Sequence, residues 1–191
     1  MTLTKTSYDQ EIFTNQNLDN AVLKNIEFED CTFQASSFLE TKFLNCKFFN
    51  CSFTDCILSA NDITNSHFID SKFINSKAIG INWTKAQRIE SISFENCQLN
   101  YSNFRDLKLP KTIFSHCEIH EVDFTNADLA EANFSSADLN KSVFIKTNLN
   151  KADFTGAKNY YLDLKNNNLK KAIFSLPEAI NLLESLDIIL N

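Results

Sequence analysis

Ala127-Asp128-Leu129-Ala130-Glu131-Ala132-Asn133-Phe134-Ser135-Ser136-Ala137-Asp138-Leu139 decides how the chain is read. It contains three copies of one five-residue unit: a small residue, Asp or Asn, Leu or Phe, and two variable polar positions. The Leu or Phe is the centre of the unit, and the small residue stands at minus two. Working outward from here, 17 of the 18 Phe fall on centres, and only Phe49 does not. Phe13 to Phe73 share one register modulo five, and Phe94 to Phe174 share the next. Leu18, Leu23, Leu58, Leu99, Leu109, Leu129, Leu139, Leu149, Leu164 and Leu169 fill most of the gaps. An amphipathic helix repeats at 3.6 residues and a strand at 2, so neither gives a period of five. A fixed internal period is the mark of a repeat architecture.

The repeat resembles that of pentapeptide-repeat proteins. The resemblance implies an all-β solenoid, a right-handed quadrilateral β-helix of about eight coils. Four five-residue sides make one coil, with centres and minus-two residues pointing inward. Coils stacked at the strand spacing of ~4.8 Å bury their core between neighbours. Small residues at minus two let each coil close around large centres.

Residues 1–10 read as a short lead-in. The β-helix then runs over 11–176, and 177–191 form a different C-terminal segment. Between the two registers, Ala86-Gln87-Arg88-Ile89-Glu90-Ser91 has six residues where five are expected. Strict counting puts Arg88 at a centre, where an unpaired charge is costly. A bulge over 86–91 carrying Arg88 outward is therefore expected. Tyr160 and Tyr161 follow a polar centre at Asn159, which predicts a local loop. Ser175-Leu176-Pro177-Glu178 has the spacing of a capping box. Ile180, Leu182, Leu183 and Leu186 give the following helix an apolar face, and Ile188, Ile189 and Leu190 read as a short apolar strand. These residues either cap the last coil or join two chains in a homodimer.

The composition is acidic, with 24 Asp and Glu against 18 Lys and Arg, a formal net charge of −6. Direct nucleic-acid binding needs a basic stripe and is not expected. The first ten residues lack a signal-peptide apolar core, and no apolar run approaches a membrane span, so a cytoplasmic location is expected. Cys31, Cys46, Cys51, Cys56, Cys97 and Cys117 all stand at minus two. They read as reduced packing residues rather than as disulfides or metal ligands. His116-Cys117-Glu118-Ile119-His120 holds ligand residue types, but the register turns Cys117 inward and both His outward, on different sides of a corner. No nucleophile motif or Gly-rich phosphate loop occurs. Neither an enzyme nor a cofactor or metal site is expected.

Charge alternates in blocks. Residues 112–138 carry six acids and no base, and residues 139–175 carry two acids and seven bases. With Phe13, Phe33 and Phe53 on side one, sides one and two carry nine acids: Glu11, Asp19, Glu40, Asp55, Glu95, Glu118, Glu121, Asp138 and Asp153. Only Lys72, Lys77, Lys141 and Lys158 oppose them there. One flank is thus negative and is the candidate partner-binding surface.

Two terminal segments extend the resemblance to the Qnr/MfpA quinolone-resistance group. Tyr8-Asp9-Gln10-Glu11-Ile12-Phe13-Thr14-Asn15-Gln16-Asn17-Leu18 is similar to the opening of Qnr proteins. Leu182-Leu183-Glu184-Ser185-Leu186-Asp187-Ile188-Ile189-Leu190 is similar to their closing helix and strand. The resemblance implies a DNA-mimicking homodimer that binds a type II topoisomerase, DNA gyrase or topoisomerase IV. An acidic scaffold with another protein partner is the alternative. Many Qnr proteins carry two projecting loops. Here one extra residue near Arg88 is the only clear insertion, which places the chain nearer loopless members.

Overall fold

The computed structural model describes residues 3–186. The fold is an all-β solenoid, a right-handed quadrilateral β-helix of about eight coils. Its period is visible in the pairing. Asn17 bridges Ser37, Ser37 bridges Ile57 and Gln98 bridges Glu118, each in parallel and 20 residues on. Where strands are long enough to form sheets, one sheet runs up side four from Ser7–Asp9 to Arg88–Glu90. Another runs up side one from Ile12–Thr14 to Ser93–Glu95.

The solenoid begins earlier than the boundary at 11 expected from the repeat. Ser7–Asp9 pairs with Glu27–Glu29, and Tyr8 is buried with its ring stacked on Phe28 at 5.3 Å. Tyr8 is a centre that a search for Phe and Leu passes over.

The core is a set of aromatic columns. On side one, Phe13, Phe33, Phe53, Phe73, Phe94, Phe114, Phe134, Phe154 and Phe174 stack ring on ring, at 4.7 to 5.5 Å between successive centroids. Columns on opposite sides meet edge to face across the core, as Phe104 of side three meets Phe114 of side one at 5.8 Å. Both geometries suit the ring quadrupole.

The minus-two position has a second requirement besides size. The Ser66 hydroxyl donates to the Phe43 carbonyl at 2.8 Å and accepts from the Cys46 N–H at 3.0 Å. Ser76, Ser102 and Thr147 donate in the same way to the centre of the coil before. Cys46, Cys51, Cys56 and Cys117 thiols do so at 3.3 to 3.4 Å. A small donor there satisfies a carbonyl that the ladder leaves free, which explains Ser, Thr and Cys beside Ala.

All six cysteines are buried free thiols. Burial pushes the Cys51 thiol up to about 12 and the Cys56 thiol up to about 11. The folded chain thus holds these protons more tightly than the unfolded chain does. Their contribution to stability is complete below pH ~9 and declines as pH rises from there through 11 to 12. The thiolate is the reactive species. At pH 8 a thiol reagent should therefore modify Cys51 and Cys56 of the native protein only at its unfolding rate, and all six sites at once in denaturant. Rapid native labelling of Cys51 or Cys56 would contradict this packing.

Most corners are turned by a residue, usually two after the centre, with φ near +50° to +60°, in the left-handed region. Of 29 such non-glycine residues, 14 are Asn or Asp, which tolerate it. Lys111, at φ 62°, has no such local compensation. Lys111→Gly is expected to raise stability by about 0.5–1 kcal/mol, because relief of the left-handed penalty exceeds the added chain entropy. A denaturant titration checks the sign.

The extra residue sits in the turn Trp83–Lys85, before the expected 86–91. The ladder is back in step with Arg88 opposite His67, Ile89 opposite Phe68 and Glu90 opposite Ile69. Ile89, not Arg88, therefore occupies the centre. Arg88 is exposed and forks onto the Glu90 carboxylate at 2.9 and 2.8 Å. The longer corner follows Trp83, whose indole is wider than any other centre and stands between Phe68, Phe73, Phe94 and Phe104.

The C-terminal helix Glu178–Leu186 is a 3-10 helix. Its period of three separates residues that an α-helix would group. Leu182 packs on the core, and Ser185 accepts a hydrogen bond from the Leu164 N–H. Ile180, Leu183 and Leu186 fall on another face, where Ile180 and Leu186 are 45% and 40% exposed. The capping box does not form. The Ser175 hydroxyl accepts from the Gly156 N–H of the coil below, at 2.8 Å. Ile188, Ile189 and Leu190 lie outside the described residues.

Candidate functional site

Apart from Glu11, the acidic residues of sides one and two are carried on outward positions, whose direction the inward centres fix. Glu95 and Asp153 lie on side one, and Asp55 at the corner to side two. Asp19, Glu118 and Asp138 lie on side two, and Glu40 and Glu121 at its far corner. Glu11 stands at a minus-two position at the lower end, half-buried and paired with Lys5 at 2.8 Å. The nine are therefore spread along the rod. Glu118, Glu121 and Asp138 gather in adjoining coils with His120 between them.

His120 Nδ1 lies 3.4 Å from the Glu118 carboxylate, and Nε2 lies 3.4 Å from that of Asp138. The His120 N–H donates to Asn100 Oδ1, and Asn100 Nδ2 donates to Glu118 Oε1. Asp138 also accepts from Asn159 Nδ2 at 2.8 Å and meets Lys158 at 3.4 Å. Burial alone would raise the Asp138 carboxyl. Its bonds to Asn159 and His120 and the Lys158 charge outweigh that and hold it below the ordinary carboxylate range. Asp123 is lowered against its burial in the same way, by Thr125 and Arg105. Both contribute stability above pH ~4 that is lost as pH falls through their lowered values. Both groups stay ionised at neutral pH.

The coil period gives the charge blocks a local purpose that sequence counting missed. Residues 20 apart lie one above the other. Glu27 thus meets Lys47 at 2.9 Å, Glu131 meets Lys151 at 3.5 Å, Glu121 meets Lys141 at 3.9 Å and Asp138 meets Lys158. The basic block 139–175 stacks on the acidic block 112–138. Exposed pairs of this kind contribute about 0–1 kcal/mol each, but they remove charge from the flank. Asp19, Glu40, Asp55, Glu95 and Asp153 have no cationic partner among the described residues. Asp153 instead holds its own turn through Thr155.

Charge density decides how far an analogy with a polyanion goes. Eight coils at strand spacing span ~38 Å, so a net charge of −6 is one charge per ~6 Å. Duplex DNA carries one per ~1.7 Å. The six acids of 112–138 occupy little more than one coil, but Asp123, Asp128 and Glu131 lie on sides three and four, so only Glu118, Glu121 and Asp138 concentrate charge on side two. Any polyanion-like surface is therefore a band around Glu118, Glu121 and Asp138, not the whole rod.

Among the described residues, no helix is long and apolar enough to cross a membrane.

Family models described as "Pentapeptide repeat region" and "Pentapeptide repeats (8 copies)" match residues 46–124 and 117–156. Together they cover positions 46 to 156, which is 111 of 191 residues. A model of the SV2A/B/C luminal domain matches residues 1–78. None of the curated proteins matches the chain. Among solved structures, full-length QnrB1, described as a plasmid-mediated fluoroquinolone resistance protein, superposes with a TM-score of 0.61 at 18% identity. The match covers 95% of this chain and 100% of QnrB1. A trypsin-treated variant of QnrB1 superposes at 0.53 and 20% identity, over 97% of this chain and 90% of its own. With a five-residue repeat that sets every core position, and with family models over more than half its length, the chain belongs to the pentapeptide-repeat proteins.

Proposed function

We propose that this protein binds a type II topoisomerase, DNA gyrase or topoisomerase IV, by presenting the acidic band on side two in place of DNA phosphates. The observation that carries the reading is the local density of acids at Glu118, Glu121 and Asp138 on a rigid rod. The band sits on an aromatic core that fixes its geometry, so little ordering entropy opposes docking. The likeness of fold to QnrB1 and the resemblance of both terminal segments supply the enzyme class. In this reading the protein is a binding partner and not a catalyst, and quinolone protection follows if docking displaces drug or cleaved DNA. The apolar face Ile180, Leu183 and Leu186 joins two copies end to end, together with Ile188, Ile189 and Leu190 beyond the described residues; Leu182 supports it from the core.

Titration of purified protein into gyrase supercoiling and quinolone-stabilised cleavage reactions tests this. Inhibition of supercoiling, or reversal of drug-dependent cleavage, at low-micromolar protein is the expected result. No change in either reaction would leave the second reading, an acidic scaffold for a different protein. The ion-pair ladders favour that reading, because they neutralise part of the flank.

A further inference from the structure

The ladder is interrupted on side three, above Val143–Ile145. One coil lower, the Phe124 N–H donates to the Val143 carbonyl, the Val122 carbonyl accepts from the Val143 N–H and the Glu121 N–H donates to the Asn140 carbonyl. The corresponding groups one coil up are the Phe144 N–H, the Ser142 carbonyl and the Lys141 N–H. None has a backbone partner among the described residues. Pairing resumes only at Lys146, whose N–H donates to the Asn166 carbonyl at 2.9 Å.

The cause lies in Asn159. A polar residue at a centre cannot be buried without partners. Asn159 takes a left-handed conformation and turns outward, and Tyr160 fills its place against Phe154 and Phe174. The chain from Tyr161 to Lys165 then makes no backbone bond to the coil below. It leaves a groove of about 440 Å³ lined by Lys141, Val143, Ile145, Tyr161, Asp163 and Asn166. Val143, Ile145 and Tyr161 are 40%, 48% and 62% exposed.

We propose that this groove is a docking site for an extended segment of a partner protein, added as a short strand between the two coils. Unpaired main-chain donors and an acceptor in strand order are the template for such addition. Val143, Ile145 and Tyr161 offer contacts for apolar side chains. Lys141 and Lys146 stand at the two corners of side three, and Lys146 has no acidic partner among the described residues, which favours a segment carrying acidic residues. The occupant is thus an apolar and acidic stretch without Pro, because Pro cannot donate to a ladder. This site is separate from the acidic band and does not depend on the topoisomerase reading.

Selection of a phage-displayed random octapeptide library on the full-length protein is the test. Enriched peptides should alternate apolar residues, contain Asp or Glu, and lack Pro. The strongest should protect the Phe144 amide from hydrogen exchange. Val143→Asp and Ile145→Glu, both at exposed positions, should each weaken that peptide at least tenfold while leaving the melting temperature within a few degrees. No enrichment, binding insensitive to both substitutions, or an unprotected Phe144 amide in the complex would overturn the proposal. Enrichment of sequences matching Asp187-Ile188-Ile189-Leu190 would also overturn it, and would make a second copy of this chain the occupant.

Discussion

Phe114→Ala is expected to destabilise the protein by about 3–5 kcal/mol, the range for emptying a buried aromatic site. Phe114 is fully buried. Its ring stacks on Phe94 at 5.5 Å and on Phe134 at 5.0 Å, and meets Phe104 and Phe124 edge to face at 5.8 and 5.7 Å. The site cannot collapse to fill the void, because the ladder holds the coils at fixed spacing and the neighbouring rings are held by their own columns. Ile12 is also an apolar residue on side one, but it stands one position before a centre and is 72% exposed. Ile12→Ala should change stability by no more than about 0.5 kcal/mol. Denaturant midpoints for the two variants separate the inward from the outward register. Equal effects would mean that the five-residue phase is misassigned.

The second large effect is on binding. Reversing Glu118, Glu121 and Asp138 to Lys together should weaken inhibition of gyrase by more than about 100-fold. Three exposed charge contacts at up to ~1 kcal/mol each account for ~3 kcal/mol, or roughly two decades, and like charges then add repulsion. Two of the three have a lysine one coil above, Lys141 over Glu121 and Lys158 over Asp138, so reversal also strains the ladder. The neutral set Glu118→Gln, Glu121→Gln and Asp138→Asn keeps the shapes and removes only charge. It should fall between wild type and the reversal, with only a small drop in melting temperature from the lost Asp138 and Glu121 charge contacts. Wild-type inhibition by both sets would take the acidic band out of the proposed function.

The core of this fold was legible in the sequence because one position in five is nearly always Phe or Leu, and no other regular structure has that period. The deviations were less legible, each for a physical reason. Tyr8 was missed because its hydroxyl disguises a core ring; the OH instead accepts from the Lys5 N–H at the open end of the solenoid. The extra residue was placed too late because counting registers locates a shift only between two secure centres, whereas the wide indole of Trp83 decides where the corner lengthens. One apolar face holding Ile180, Leu182, Leu183 and Leu186 requires α winding, and the 3-10 winding of the terminal helix separates Leu182 from the other three. The candidate site was half legible. Side and sign of the acids followed from the repeat, but their neutralisation by lysines 20 residues on is visible only when coils are stacked. That signal was available in the spacing of Glu121 and Lys141, Glu131 and Lys151, and Asp138 and Lys158.

The central claim is that acids on this rod stand in for DNA phosphates. The most direct measurement is the affinity of the protein for gyrase as a function of salt. Displacement from a basic, DNA-binding surface predicts a linear fall of log affinity with log salt concentration, steep between about 50 and 200 mM, and shallower for the neutral triple variant. An affinity independent of salt over that range would contradict the account, because charge would then not hold the complex together.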